Sequence, residues 1–448
     1  MYDLVIRNAT IVTARDSQLA DLAIQDGKIA AIGRGLDQTR ESIDARGLTL
    51  LPGVIDEHVH FREPGLTYKE DFASGTLAAA AGGVTTIFDM PNTKPPTATV
   101  EDFWEKCRLA EASARVDVGL FGIILGGEQN NEMELAGLIE AGAIGFKLFL
   151  GETTGNNPCP DDGAIFGAFR VIARSNSIVA VHAENDPILQ RLKRDMRATG
   201  RTDARAHLEA RPPFIESEAI ARAIAIAAQA GTRLHIVHVS SRQGLEVIRH
   251  AKGRRLPVTA EALISHLLLD DSVYERLGNL AVQNPPIREA SHVAALWDGL
   301  ADGTIDTIAT DHAAHSAEEQ ARTNLWDAVG GFIGVETLLP LLLTQVSEGR
   351  LTLGQLVYFT SEQPARIFGL YPRKGSLAIG ADADFTLVDL AKSYILDQKT
   401  LHSKHPVSPF HGFHMRGSVV STFVRGACVY RDGLAVGEPI GCVVRPER

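Results

Sequence analysis

Cysteine is scarce in this chain. Only Cys107, Cys159, Cys428 and Cys442 occur in 448 residues, scattered and without CxxC spacing. That excludes a disulfide framework and a thiolate zinc site, and it fits a reducing compartment such as the cytoplasm. Basic charge is scarce as well: 44 Lys and Arg against 55 Asp and Glu leave a net charge of -11. With no basic surplus to release counterions, nucleic acid and anionic membrane are excluded as partners. No apolar run reaches the roughly 18 residues of a membrane span. Met1-Tyr2-Asp3-Leu4 shows no basic segment leading into an apolar core, so no secretory signal is expected. What remains, 45% hydrophobic and 22% charged residues, is the balance of an ordinary globular chain.

The two ends read alike. Leu4-Val5-Ile6, Thr10-Ile11-Val12 and Leu22-Ala23-Ile24 are strand-like, and Gln25-Asp26-Gly27-Lys28 is a turn. Ala383 to Val388 and Ser421 to Tyr430 repeat the style before the turn Arg431-Asp432-Gly433. Between them, eight short apolar runs alternate with Ala/Leu/Glu-rich helical stretches: 50–55, 83–88, 116–121, 143–149, 178–181, 234–237, 257–260 and 304–309. Continuous apolar runs mark strands buried on both faces. Eightfold strand–helix alternation predicts an α/β chain with a (β/α)8 TIM barrel. An open doubly wound sheet is the alternative, and no GxGxxG follows the first strand to support it. The expected organisation is a barrel over 53–374 and a small composite β-sandwich from 1–52 and 375–448. The basic residues Lys193, Arg194, Arg197, Arg201 and Arg205 read as a solvated helix face.

Fifteen histidines occur, and their positions matter. In such a barrel the C-terminal strand ends form the active site. The first run leads to His58 and His60, whose spacing of two puts both on one side of a strand, where they can share a metal. The fifth run ends in His182, the sixth in His238 and the eighth in Asp311. Satisfied core histidines would not all fall at the same end. Lys147 lies within Gly145-Phe146-Lys147-Leu148-Phe149, where a bare ammonium is costly unless paired or neutralised. An ammonium has no lone pair for a metal. An amine carbamylated by CO2 becomes an anionic, two-oxygen ligand.

Asp56-Glu57-His58-Val59-His60-Phe61-Arg62-Glu63-Pro64-Gly65, Gly83-Val84-Thr85-Thr86 and Met90-Pro91-Asn92-Thr93 resemble the cyclic amidohydrolases, the dihydroorotases most of all. Gly145-Phe146-Lys147, Val181-His182-Ala183-Glu184, Val237-His238-Val239-Ser240, Asn284-Pro285-Pro286-Ile287-Arg288 and Thr310-Asp311-His312 continue the resemblance. So does the stretch Gly375 to Asp384, which resembles the family's return into its β-sandwich. The resemblance implies two divalent metal ions, usually zinc. His58, His60 and Asp311 would hold the first and His182 and His238 the second, with carbamylated Lys147 as the bridge. It implies that Asp311 shuttles the proton from water to the leaving nitrogen, and that Arg62, Asn92, Asn284 and His315 grip the substrate, with backbone contacts at Gly330 and Gly331. Independently of the family, a guanidinium two residues beyond a metal histidine can clamp a carboxylate. Arg62 could instead pair with Glu63, Asn92 could serve a turn, and His315 could cap a helix.

The leading expectation is therefore a dihydroorotase, interconverting N-carbamoyl-L-aspartate and L-dihydroorotate in pyrimidine synthesis, as a dimer or tetramer. Departures point elsewhere. Glu261 is followed by Ala262-Leu263-Ile264-Ser265-His266 where dihydroorotases usually carry Pro-His-His, and Ala314 stands where they usually have proline. The stretches Arg211 to Glu216 and His405 to Gly412 look closer to allantoinases and hydantoinases, which are the alternative. A non-catalytic scaffold related to the family would lack metal ligands, and here all six are present.

Overall fold

The computed structural model describes residues 1–151 and 157–447. Five strands come first: β1 (Tyr2–Val12), β2 (Ser17–Gln25), β3 (Lys28–Gly33), β4 (Thr39–Asp44) and β5 (Thr49–Pro52). Then come β6 (Val54–His60), β7 (Val84–Asp89), β8 (Asp117–Ile123), β9 (Gly145–Phe149), β10 (Ile178–His182), β11 (Arg233–Ile236), β12 (Val258–Leu263), β13 (Thr307–Ala309) and β14 (His312–Ala313). The last four are β15 (Phe385–Ile395), β16 (His414–Val424), β17 (Ala427–Arg431) and β18 (Leu434–Ala435).

Strands β6 to β14 form one parallel sheet in the order β13-β12-β11-β10-β9-β8-β7-β6-β14. β13 pairs with β12, and β14, only two residues further on, pairs with β6. The two are one strand broken at Thr310 and Asp311, and through that break the sheet closes into an eight-stranded TIM-like barrel. Helices separate the strands and begin at side-chain caps: Asp71, Thr99, Asp161, Asn185 and Ser241 each accept an N–H of the first turn. Their apolar faces and the outward faces of the strands make the main core.

The remaining strands join into one mixed sheet in which N-terminal β5 lies antiparallel to C-terminal β15. A bulge between Ile6 and Ala9 of β1 shifts the inward phase by one residue. Leu4, Ile6, Ala9 and Ile11 therefore all reach a core shared with Leu22, Ile24, Phe385 and Phe423. The predicted first run, 50–55, is divided at Gly53: its first half belongs to this sheet and its second half starts the barrel. A Cβ at Gly53 would lie 2.0 Å from Thr85 Oγ1, so only glycine fits this crossing. Buried Lys374 ties the two sheets together, with Nζ 2.5 Å from Asp117 and 2.6 Å from Asp384. Among the described residues no helix is long and apolar enough to cross a membrane.

The N-terminal end of the barrel is plugged. The Phe368 ring lies 5.0 Å from Phe88, 5.8 Å from Phe121 and 5.6 Å from His235, centroid to centroid. Phe368→Ala should therefore open an apolar cavity and cost about 3–5 kcal/mol, read as a lower urea midpoint; an unchanged midpoint would show that the plug contributes nothing.

Candidate metal centre and active site

The opposite end of the barrel gathers the histidines. All of β6 is buried, and its side-chain alternation brings His58 and His60 to the same carboxylate: their Nε2 atoms lie 3.3 and 3.0 Å from Asp311 Oδ1. Asp311 has φ 51. That left-handed kink breaks the eighth strand and turns the side chain inward. Lys147 Nζ, from β9, lies 3.4 Å from His58 Nε2. On the far side, His182 Nδ1 and His238 Nε2 approach to 2.9 Å, and the His58 and His238 rings are 5.4 Å apart. All six residues expected at the centre meet there.

Three of the four rings are oriented from behind. His58 Nδ1 lies 2.8 Å from Glu261 Oε1 and His60 Nδ1 lies 2.8 Å from Asn92 Oδ1. His182 Nε2 lies 3.1 Å from Glu184 Oε2. These oxygens only accept, so the outward nitrogens of the three rings can carry the protons, which leaves their inward nitrogens free to present lone pairs to a cation. The same Glu261 oxygen takes the backbone N–H of His238 at 3.0 Å, so one carboxylate braces both halves of the centre. Burial pushes the His60 imidazole down to about 3 and drives His238 well below its ordinary range, so both are neutral. Burial also lowers Lys147 to about 8, against the pull of Glu261 and Asp311. Burial opposes ionisation of Asp311, but His58, His60 and Lys147 outweigh it and hold the carboxyl well below its usual range. Neutral nitrogens and an ionised oxygen converging in a buried pocket are what a divalent cation takes. One layer down, Glu57, His235 and Glu261 bring candidate ligand atoms within 4.8 Å of one another. There burial and the Glu261 charge raise Glu57 well above the carboxylate range.

The centre opens into a cavity of about 300 Å³. Arg62, Asn92, Asn284, His315, Gly330 and Gly331 all line it. Arg62 has φ 66, is 2% exposed and has no partner at Nε among the described residues. Pairing with Glu63 does not occur: that carboxylate takes the Phe72 N–H. Asn92 faces the cavity, but its carbonyl is engaged by His60. His315 Nε2 donates to Gly330 O at 3.0 Å. The basic stretch read as a solvated helix face is different in place: Lys193 and Arg197 line the cavity mouth, because the helix Asp186–Ala198 follows directly on His182. Sequence reasoning gave no role to Arg211, whose guanidinium pairs with Glu184 in the interior. Its one signal was an arginine beside Pro212-Pro213, and only the fold makes it a partner.

Arg211→Met leaves the buried Glu184 carboxylate with the His182 ring as partner but no compensating cation, at a cost of about 3–5 kcal/mol near neutral pH. Burial works against ionisation of Glu184, yet Arg211 and then His182 hold it well below the usual range. Its contribution is thus present above the ordinary carboxylate pKa and lost as pH falls, whereas the orphaned carboxyl of the variant gains stability on protonation. The gap in melting temperature should narrow between about pH 8 and about pH 5; a constant gap would dismiss the charge pair.

The amidohydrolase family profile matches residues 49–429. An allantoinase from Rubrobacter xylanophilus is 41% identical over 451 aligned residues, 100% of this chain and 98% of that protein. A dihydroorotase from Methanothermobacter thermautotrophicus is 38% identical over 97% of this chain and 95% of its own length. The solved L-hydantoinase (dihydropyrimidinase) from Arthrobacter aurescens superposes with a TM-score of 0.96 at 37% identity, covering 99% of this chain and 100% of that one. Allantoinases and hydantoinases thus match at least as well as the dihydroorotase that the sequence motifs put first. With the family match and the converging buried donor set, this chain belongs to the amidohydrolase family and is a metal-dependent cyclic amidohydrolase acting on C–N bonds.

Proposed function

We propose that the protein opens the ring of a cyclic ureide of the allantoin or hydantoin type. The observation that carries the reading is the converging donor set at the barrel mouth, taken with relatives that are mostly allantoinases and hydantoinases. His58, His60 and Asp311 would hold one divalent cation and His182 and His238 a second, zinc being the family's usual metal, with Lys147 between them. When bound, such a pair of ions polarises the scissile carbonyl and makes water acidic enough to attack it near neutral pH. Lys147 suits the bridge because burial favours its free amine more than water does, and that is the form that adds CO2 to become a carbamate. Asp311, ionised and aimed inward, takes the proton from the attacking water and delivers it to the ring nitrogen as the C–N bond breaks. Asn284, His315 and the backbone of Gly330 and Gly331 form the wall against which the ring is held. The family resemblance supports a cytoplasmic dimer or tetramer.

Arg62 favours a second reading. A buried guanidinium without a carboxylate partner is a ready clamp for an acidic substrate, as a dihydroorotase requires. Steady-state rates with allantoin, hydantoin, dihydrouracil and dihydroorotate decide between the two. The first reading expects turnover of the uncharged ureides, and turnover of dihydroorotate alone would replace it by the second. Arg62→Ala should reduce dihydroorotate turnover by about tenfold or more beyond any loss on hydantoin; equal losses would refute the clamp. Metal analysis should find two equivalents per chain, and Glu261→Ala should weaken metal affinity by about 10–100-fold, measured against a chromophoric chelator.

A further inference from the structure

Arg62 lies in the field of three carboxylates, Asp311, Asp89 and Glu319, and forms an ion pair with none of them. Each is already held. Asp311 faces His58 and His60. Glu319 pairs with Lys69 at 2.8 Å and accepts the Ser316 N–H at 3.1 Å. Asp89, at the end of β7, pairs with Lys106 Nζ at 2.6 Å and accepts the Phe61 N–H at 2.7 Å. Asp89 and Lys106 are both fully buried. Lys106 stands on the helix Val100–Ser113, and its ammonium also donates to Met90 O at 2.9 Å. Lys69 lines the cavity and could touch a ligand directly, whereas Lys106 does not line it and acts through Asp89 and through the Met90 carbonyl, two residues before Asn92.

We propose that Lys106 is a positioning residue for specificity: by holding Asp89 it prevents that carboxylate from capturing Arg62, and so leaves the guanidinium to an anionic group on the substrate. The inference rests on the reading of Arg62 as an anion-recognising residue. In a dry pocket an unmet carboxylate and an unmet guanidinium gain most by pairing with each other. Asp89 is already anchored beside Arg62, since one of its oxygens takes the N–H of Phe61, the preceding residue. Without Lys106 the charge of Asp89 is uncompensated, and Arg62 is the other cation whose field reaches that carboxylate. Replacing both members of the pair removes that pull, while an amide oxygen at position 89 still accepts the Phe61 N–H.

The test is calorimetric binding of L-dihydroorotate and of hydantoin to the metal-loaded protein. Lys106→Met should weaken dihydroorotate by about tenfold or more and hydantoin by less than about threefold. The double variant Asp89→Asn/Lys106→Met should return dihydroorotate to within about threefold of the parent. Equal losses on both ligands, or no recovery in the double variant, would overturn the proposal, since a merely structural pair gives that result. Should Lys106→Met not fold, Lys106→Gln, which keeps a donor for Met90, carries the same comparison. If the parent does not bind dihydroorotate, or Arg62→Ala binds it equally well, the reading of Arg62 fails and this inference with it. Selective loss in Arg62→Ala without selective loss at Lys106 defeats the Lys106 proposal alone.

Discussion

Four imidazoles, a lysine and an aspartate crowd the buried mouth of this barrel, and each would be costly there without a partner. The outward nitrogen of His58 meets Glu261, that of His60 meets Asn92, and that of His182 meets Glu184. Those contacts give the outward nitrogens of the three rings acceptors for their protons, which frees the inward nitrogens to present lone pairs to a cation. Glu184 is itself buried and is in turn held by Arg211. The polar interior is therefore built in shells, and the chemistry at its centre is only as well placed as the outermost pair.

Backbone strain does part of the aiming. Arg62, His238 and Asp311 all have positive φ, at 66, 43 and 51, a region that costs a non-glycine residue roughly 1–2 kcal/mol. At each position the kink points a side chain inward at the end of a strand that would otherwise carry it past the cavity. The surrounding frame holds these conformations in place. Phe368 plugs one end of the barrel, and the sheet from both termini is clamped to it through Lys374.

Much of this was legible beforehand. Apolar runs with no polar alternation announced strands buried on both faces, and their number announced a barrel. Histidines and an aspartate at the ends of those runs announced the centre, since strand ends on one side of a barrel converge whatever the details of packing. The boundary within 50–55 was not legible, because one continuous apolar run serves two sheets and only the steric demand at Gly53 divides it. Nor were the partners of Arg211 and Lys106. A buried charge is chosen by what lies opposite it in space, and Lys106 sits in one of the helical stretches between apolar runs with nothing to set it apart.

The sequence by itself determined the class of chemistry: residue types able to bind metal, at spacings that a parallel barrel must bring together. It also set the periodicity that buries them. Only the tertiary structure decided which nitrogen of each ring faces inward, which carboxylates are spent on holding other groups, and that Arg62 Nε meets no partner among the described residues. Those outcomes depend on distances between strands and helices far apart in the chain, and a linear pattern of residue types carries no such distances.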